Sequence, residues 1–374
     1  MTAGLYVHLP YCASRCGYCA FVVSTDVSSS GDYLAALARE MELVTGDAAA
    51  ARFDTVYLGG GTPSLLPAAE LERLLGRIRS RFALEPGSEV TLEANPEDVT
   101  RERRDAWIAA GVTRVSAGVQ SFEDRELAAV GRRHDAARAS EALESLAGSG
   151  LSLSGDLILG LPEQTRESFR KSLDALCAGG VDHVSVYLLE VEKSPALEED
   201  RRRRPERYLS DDEQADLWLE MGETLSGRGF SHYEISNWAR PGRESRHNLK
   251  YWVRESTLGL GVSAHEFWAG RRRANVSSLP AYLARLARGE RPVALDCPLT
   301  EAEEAAERIM LGLRLSRGVG RGEIEAWIAR RGDARLREDY AAWRERGLLA
   351  GDGECVALSE RGFLLSNEIL CRFI

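Results

Sequence analysis

Long apolar runs are missing from this chain of 374 residues. A membrane-spanning helix needs about 20 consecutive apolar residues, and no segment of the sequence reaches that length. The chain also leaves little room for a cleavable export signal, because Met1 is followed almost at once by a short strand-like segment, Leu5–Leu9. We therefore expect a cytoplasmic protein without a transmembrane segment.

An excess of positive charge is also lacking. Asp and Glu total 58 against 48 for Lys and Arg, which gives a net charge of −10. Proteins that bind nucleic acids are usually basic, so this balance argues against a nucleic-acid partner. A local cluster of arginines can still bind an anionic ligand, because a local field can oppose the total charge.

The seven cysteines do not form an even set, and nothing in the sequence marks the chain for export. In a reducing cytosol, clustered thiols indicate metal or redox chemistry rather than disulfides. Four cysteines are scattered along the chain and are interpreted as small buried apolar residues. These four are Cys177, Cys297, Cys355 and Cys371.

The other three cysteines, Cys12, Cys16 and Cys19, have the spacing C-x3-C-x2-C. Three thiolates this close can hold one cubic iron–sulfur cluster and leave its fourth iron without a protein ligand. An open metal position binds an exchangeable ligand, whereas a closed one is usually structural. The alternative is a structural zinc ion whose fourth ligand is another residue, such as His8. Zinc modules favour paired C-x2-C knuckles, so the spacing favours the cluster.

The first half of the chain alternates strand-like and helix-like segments, which predicts an α/β fold with a parallel sheet. Six βα units fit either a partial (β/α)6 barrel or an open, doubly wound sheet. Polar residues at the strand ends favour the barrel, in which the site lies at the carboxyl ends of the strands. The strand candidates are Leu5–Leu9, Thr55–Gly59, Val90–Ala94, Arg114–Val119, Leu153–Leu159 and His183–Leu189.

After Leu189 the pattern changes. The charge run Asp200–Arg207 is interpreted as a solvated loop, with an anion-binding patch as the alternative. Thr257–Phe267 has the composition of a strand, and helical segments dominate from Leu279 onward, ending in a helix at Glu360–Phe373. The last segments predict a small, mostly helical, winged-helix-like domain. We expect three regions: 1–235 as the barrel core, 236–290 as a connecting segment and 291–374 as the C-terminal domain.

The cysteine loop resembles that of the radical S-adenosylmethionine (SAM) superfamily, C-x3-C-x-aromatic-C, with Tyr18 in the aromatic position. The resemblance implies that Cys12, Cys16 and Cys19 hold a [4Fe–4S] cluster and that the open iron chelates the amino and carboxylate groups of SAM. An electron from the cluster then cleaves SAM and releases a 5′-deoxyadenosyl radical, so an electron-donor protein or reductant is implied too. The protein binds and orients the reactants and excludes water and oxygen.

Further residues resemble the SAM-contacting residues of the branch that includes oxygen-independent coproporphyrinogen III oxidase. The segment Gly59–Ser64 follows the second predicted strand, and its glycines allow a close backbone approach to a ligand. Any one polar residue at a strand end is ordinarily a helix cap or a surface group, but several at one rim of a parallel sheet indicate a site. The resemblance implies that SAM is placed by Tyr6, Tyr18, Gly61, Thr62, Glu93, Gln120, Arg132 and Asp156.

The later string His247-Asn-Leu-Lys-Tyr251-Trp252 resembles the heme chaperone family often labelled HemW. The resemblance implies that His247 ligates heme iron, that Arg246 pairs with a propionate, and that Tyr251 and Trp252 cover the macrocycle. On the residues alone, the simpler interpretation is that these side chains pack and hydrogen-bond between domains.

Two features separate a heme chaperone from the oxidase. The oxidases carry a further cysteine two residues after the third, where this chain has Phe21, and they have an N-terminal extension where this chain has eleven residues. We therefore expect a heme chaperone that binds a [4Fe–4S] cluster, SAM and heme and passes heme to an acceptor protein. The enzyme alternative is an oxygen-independent coproporphyrinogen III dehydrogenase, and a third class is a structural metalloprotein without radical chemistry.

The sequence departs from the family pattern at two places. Ala20 follows the third cysteine where the family usually has Asp, and Glu190–Pro195 replaces the usual Thr-Ile-Glu-Pro-Gly-Thr. No SAM contact is assigned to the second segment, and no residue is assigned a catalytic role.

Overall fold

The computed structural model describes residues 2–46 and 48–374. Its first half contains the six predicted βα units, which confirms the α/β class. The strands are β1 (Ala3–Leu9), β2 (Arg52–Gly60), β3 (Ala83–Ala94), β4 (Arg114–Gln120), β5 (Ser152–Leu159) and β6 (His183–Leu188). The helices are α1 (Ser30–Val44), α2 (Ala68–Arg81), α3 (Arg101–Ala109), α4 (Asp124–Ala129), α5 (Ala136–Leu146) and α6 (Arg166–Ala178).

These six strands are parallel and lie side by side in chain order. Each has one apolar and one polar face, because successive side chains of a strand point to opposite sides. In β5, Leu157 and Leu159 join the main apolar core, whereas Ser154 and Asp156 bond to polar residues of neighbouring strands on the other face. The polar faces together form the inner wall of the partial barrel.

Amphipathic helices cover the apolar face of the sheet. In α2, Leu71, Leu74, Leu75 and Ile78 are all buried in the main core. Their spacing of i, i+3, i+4 and i+7 puts them on one side of the helix, so one stripe packs on the sheet while the charged side faces solvent. This arrangement leaves the inner wall free to carry polar side chains.

The middle of the chain widens the sheet and closes one end of the barrel. The elements are α7 (Pro195–Arg203), α8 (Asp211–Gly227), β7 (Ser231–Glu234), β8 (Asn237–Ala239), α9 (Arg246–Trp252), β9 (Thr257–Leu260), β10 (His265–Trp268), β11 (Arg271–Asn275), α10 (Leu279–Ala287) and β12 (Val293–Pro298). The strand order in the described residues is β12-β11-β10-β9-β1-β2-β3-β4-β5-β6-β8-β7. The two ends of this sheet do not pair with each other, so the barrel is partial, as predicted.

Two predictions for this middle region are wrong. The charge run at 200–207 is mostly helical rather than a loop, because Ser194 caps α7 and Pro195 starts it, and acidic residues pair with arginines three or four positions later. Thr257–Phe267 is two strands rather than one. Gly261 and Ser263 both adopt positive φ there, 99° and 58°, and turn the chain between β9 and β10.

The C-terminal region has its own apolar core and a three-stranded sheet, as expected for a winged-helix-like domain. Its helices are α11 (Glu301–Gly312), α12 (Arg321–Arg331), α13 (Ala334–Glu345), α14 (Glu360–Leu364) and α15 (Ser366–Leu370). Its strands are β13 (Val319–Gly320), β14 (Leu349–Ala350) and β15 (Cys355–Leu358), in the order β13-β15-β14. The closing helix predicted at 360–373 is wrong, because Leu365 ends α14 and a second short helix follows.

Within the described residues, no helix combines the length and the apolar character needed to cross a bilayer.

Candidate cofactor site

A cavity of about 420 Å³ opens at the carboxyl ends of the parallel strands. The structure brings ten of the predicted site residues to its wall. They are Cys12, Cys16, Tyr18, Cys19, Gly61, Thr62, Glu93, Gln120, Arg132 and Asp156. Two predicted residues, Tyr6 and His247, do not line it.

The loop that carries the three cysteines is held by backbone hydrogen bonds on both sides. The Cys12 N–H donates to the Ser24 carbonyl over 3.0 Å, and the Gly17 N–H donates to the Val130 carbonyl over 2.9 Å. The first bond closes the loop on itself, and the second attaches it to the residues that follow α4. Among residues 2–46 and 48–374, no three His, Cys, Asp or Glu side chains converge as ligands of a single metal ion. The three thiols instead line one wall of a larger space.

Two polar side chains contact these thiols directly. The Thr62 hydroxyl lies 3.4 Å from Cys12 Sγ, and Arg132 Nη1 lies 3.6 Å from Cys16 Sγ. Burial raises the pKa of the Cys12 thiol, and the Thr62 hydrogen bond lowers it in part. Burial likewise raises the pKa of the Cys19 thiol. Metal binding requires thiolates, so loading this loop with iron releases protons.

A glycine turn after β2 brings the backbone close to the cysteine loop. Gly60 has a φ of 111°, a region that side chains other than glycine rarely adopt. The Gly61 N–H donates to the Leu9 carbonyl over 2.8 Å, and the Thr62 N–H donates to the Tyr11 carbonyl over 2.8 Å. The turn and the start of the cysteine loop are therefore held together as one unit.

Arg132 makes several polar contacts beside the cysteine loop. Its Nη2 donates to Asn95 Oδ1 over 2.8 Å and to the Gly118 carbonyl over 2.5 Å, and its Nη1 lies 3.4 Å from the Tyr18 hydroxyl. The sequence reasoning missed Asn95, which also lies 3.4 Å from Thr62 Oγ1. Its position directly after β3 is the signal that could have identified it, since residues at strand ends converge at one rim.

Two carboxyl groups lie deeper in the cavity. Glu93 accepts hydrogen bonds from the Tyr57 hydroxyl over 2.8 Å and the Gly60 N–H over 3.1 Å. Asp156 accepts from the Ser116 hydroxyl over 3.2 Å. Burial raises the pKa of Glu93 to about 7 and that of Asp156 to about 6. The floor of the cavity therefore favours a cation, which restores the ionised forms.

Tyr6 lies next to the wall rather than in it. Its hydroxyl is 3.1 Å from His8 Nδ1, and its ring stacks on Tyr57 with the centroids 6.1 Å apart. His8 Nε2 in turn is 2.9 Å from the Val22 carbonyl, at the far side of the cysteine loop. Because Nε2 must donate to a carbonyl, Nδ1 accepts from the Tyr6 hydroxyl. Tyr6 thus supports the loop through His8.

His247 lies at the opposite, closed end of the barrel. The helix α9 packs against β1 and β2, and His247 is fully buried with Nδ1 2.8 Å from the Thr55 hydroxyl and Nε2 2.9 Å from the Tyr251 hydroxyl. Burial lowers the pKa of His247 to about 3. Both ring nitrogens are occupied, so ligation of iron requires α9 to leave this position. The role of His247 as a heme ligand stays a prediction.

The sequence model of the Radical SAM superfamily matches residues 6–176, and that of the HemN C-terminal domain matches residues 299–365. The chain is 38% identical to a heme chaperone HemW of Mycobacterium tuberculosis, over 98% of this chain and 93% of that protein. It is 32% identical to the heme chaperone HemW of Bacillus subtilis, over 99% and 98% of the two chains. This chain belongs to the HemW family.

A solved structure of coproporphyrinogen III oxidase (HemN) from Escherichia coli, described as a radical SAM enzyme, superposes on the whole chain. The TM-score is 0.85 at 24% identity, with 100% of this chain and 90% of that chain covered. This match confirms the shared fold of the barrel and the C-terminal domain. At that identity it does not extend to activity.

The residues of this HemW-family chain fit the cofactors that a radical SAM domain implies. Three thiols on one loop are a suitable donor set for three irons of a cluster. In addition, Gln120 Oε1 and Arg132 Nε are buried without a hydrogen-bond partner among the described residues. Buried polar atoms are normally satisfied, so an acceptor and a donor left over in a cavity wall indicate a polar ligand.

Proposed function

We propose that this protein is a heme chaperone of the cytoplasm, which binds a [4Fe–4S] cluster and SAM in the cavity and carries heme to an acceptor protein. The similarity to HemW heme chaperones along nearly the whole chain supports this proposal most directly. Phe21, which stands where the oxidases have a further cysteine, is consistent with it because its exposed ring cannot replace a thiol.

In the proposed assembly, Cys12, Cys16 and Cys19 hold three irons of the cluster. The cluster, when bound, supplies the electron that cleaves SAM. Arg132 would hold the carboxylate of SAM, and Glu93 and Asp156 would hold its amino group or ribose hydroxyls. The turn at Gly61 and Thr62 would let SAM approach the backbone closely, and Gln120 and Tyr18 would complete the wall.

One experiment distinguishes the heme chaperone from the alternative function, which is oxidative decarboxylation of coproporphyrinogen III. The anaerobically reconstituted protein is supplied with SAM, a reductant, and either heme or coproporphyrinogen III. We expect stable binding of heme and no protoporphyrinogen IX. Formation of protoporphyrinogen IX would overturn the chaperone proposal, and zinc without acid-labile sulfide in the purified protein would overturn the cluster assignment.

The affinity for SAM is expected to rise with pH between about 6 and 8. The pKa of Glu93 is about 7 and that of Asp156 is about 6, so both lie above the ordinary values. Ionisation of these groups between about pH 4 and 7 therefore costs folding stability in the free protein. SAM is a cation and stabilises the ionised forms, so its dissociation constant falls as they ionise and levels off above about pH 8. Calorimetric titration of the reconstituted protein at several pH values measures this.

Two variants make the pH test specific. Glu93→Gln is expected to weaken SAM binding and flatten its pH dependence. Glu40→Gln is the matched control, because burial also raises the pKa of Glu40 to about 7, but Glu40 bonds to Tyr282, Asn275 and the Gly261 N–H, away from the cavity. An affinity that is constant or falls with pH contradicts the assigned role of the two carboxyl groups.

A further inference from the structure

Exposed apolar side chains cluster at the opening of the cofactor cavity. Phe21 is 65% exposed and Leu188 39%, and both line the cavity at its opening. Tyr187 is 45% exposed to the cavity, but its hydroxyl lies further in, where burial and the nearby Asp156 raise its pKa. Phe21 follows the cysteine loop, whereas Tyr187 and Leu188 end β6, so two distant segments bring apolar surface to one place. Single exposed apolar residues are ordinary, but a group of them around a cavity marks a binding surface.

Three cations surround the same opening. Arg15, Arg133 and Lys193 line the cavity and are exposed. Arg15 donates only to the Cys19 carbonyl, over 3.3 Å, and Arg133 has no ion-pair partner among the residues that the structure describes. Lys193 pairs with Glu190, and both of those side chains are more than half exposed. Glu190 and Glu97 also line the cavity, but Glu190 pairs with Lys193 and Glu97 bonds to His134. In a chain of net charge −10, Arg15 and Arg133 therefore leave the opening with an excess of positive charge.

We propose that this cavity mouth, formed by Phe21, Tyr187, Leu188, Arg15, Arg133 and Lys193, binds heme. This inference rests on the proposed function. The macrocycle of heme is flat and apolar, and its two propionates lie along one edge. The apolar side chains of the mouth can pack on the macrocycle, and its cations can pair with the propionates.

The size of the cavity places heme across the mouth rather than inside. A volume of about 420 Å³ is at the lower end of the range for small-molecule sites, and a bound cluster and SAM would fill its floor. Heme at the mouth therefore covers SAM. Covering has a kinetic consequence, because SAM must leave through the opening that heme closes.

This site is separate from His247. Two residues of β1 mark the distance between the sites. Gly4 is next to His247, because a Cβ added to it would lie 3.1 Å from the His247 ring. Leu9 precedes the cysteine loop and is five residues further along the strand. That separation is roughly 16 Å along a strand, at about 3.3 Å per residue. Heme at the mouth and heme on His247 are thus distinguishable by mutation.

The experiment compares heme binding by two double variants of the reconstituted protein. Phe21→Ser with Leu188→Ser removes apolar surface, and Arg15→Glu with Arg133→Glu reverses the charge. The first is expected to raise the heme dissociation constant at least about tenfold, since burying even one large apolar side chain contributes that much. The second is expected to raise it by a similar factor, because two glutamates would repel the propionates that the arginines attract. Ile108→Ser and Arg337→Glu are the matched controls, because Ile108 is 38% exposed on α3 and Arg337 is exposed on α13. The controls are expected to bind like the wild type.

Two further measurements make the result specific to the mouth. Heme whose propionates are esterified is expected to bind the wild type and the Arg15→Glu, Arg133→Glu variant with similar affinity, because no carboxylate remains to pair. Heme is also expected to slow the release of labelled SAM from the wild type, and not from the apolar variant. The iron content and the melting temperature of each variant are measured as well, and both are expected to match the wild type, which shows that the cluster and the fold are retained.

Separate outcomes overturn the two proposals. If the wild type binds no heme, the proposed function fails and this inference with it. If the wild type binds heme but the mouth variants bind it equally well and SAM release is unchanged, only this inference fails. Loss of binding in His247→Ala alone would then assign heme to the closed end of the barrel and leave the mouth to a protein partner.

Discussion

Cys16→Ser is expected to leave the reconstituted protein without its cluster. Cys16 is one of three thiols on the loop, and a serine hydroxyl does not supply the thiolate that iron requires. Iron and acid-labile sulfide are expected to fall from about four atoms each per chain to near zero. SAM binding is expected to fall with them, because the open iron contributes two of its contacts. Metal and sulfide analysis and calorimetry on the same preparation check both results.

The matched control is Cys177→Ser. Cys177 is a half-buried residue of α6 and lies outside the cavity wall, so this variant is expected to assemble the cluster normally. Comparison of the two variants separates the loss of a ligand from the general effect of removing a thiol. A Cys16→Ser protein with full iron and sulfide content would show that another residue completes the cluster, and the assignment of the three ligands would be wrong.

The sequence predicted the order of the βα units well because that signal is local. Short apolar strands followed by helices with an apolar stripe, such as Leu71–Ile78, can be recognised segment by segment. The prediction relied on polar residues at the strand ends, however, and did not use the period of two within the strands. Ser116 in β4 and Ser154 and Asp156 in β5 occupy alternate positions, and this alternation is the signal that one face of the sheet is polar.

The predicted site was less complete where contacts depend on distant parts of the chain. Tyr57 contacts Glu93 from the middle of β2, and no sequence pattern specifies that partner. Asn95, which contacts Arg132, could have been identified from its place after β3, but its partner could not. For His247, the sequence motif was recognised but the surroundings of the side chain were not. Its burial between α9 and the sheet, and its bonds to Thr55 and Tyr251, follow only from the tertiary structure. Residues at the cavity could be identified from strand ends, whereas residues between layers could not.

Gly61→Ala is expected to have the second largest effect among these predictions. An alanine Cβ at this position would lie 2.7 Å from the Tyr11 carbonyl oxygen, 2.8 Å from the Pro10 carbonyl carbon and 2.9 Å from the Leu9 carbonyl oxygen. All three atoms belong to the backbone, so none can move aside as a side chain can. The turn must separate from the cysteine loop, which is expected to lower the free energy of unfolding by about 1–3 kcal/mol.

The same displacement is expected to weaken SAM binding at least about tenfold, a loss of roughly 1.4 kcal/mol, because Thr62, the next residue, contacts Cys12. Gly76→Ala is the control, since a Cβ on Gly76 in α2 meets no atom within 4 Å. Alanine favours a helix over glycine, so this variant is expected to gain about 0.5–1 kcal/mol. Denaturant unfolding of the two proteins therefore gives shifts of opposite sign. A Gly61→Ala protein as stable as the wild type, with unchanged SAM affinity, would mean that the turn does not approach the cysteine loop this closely.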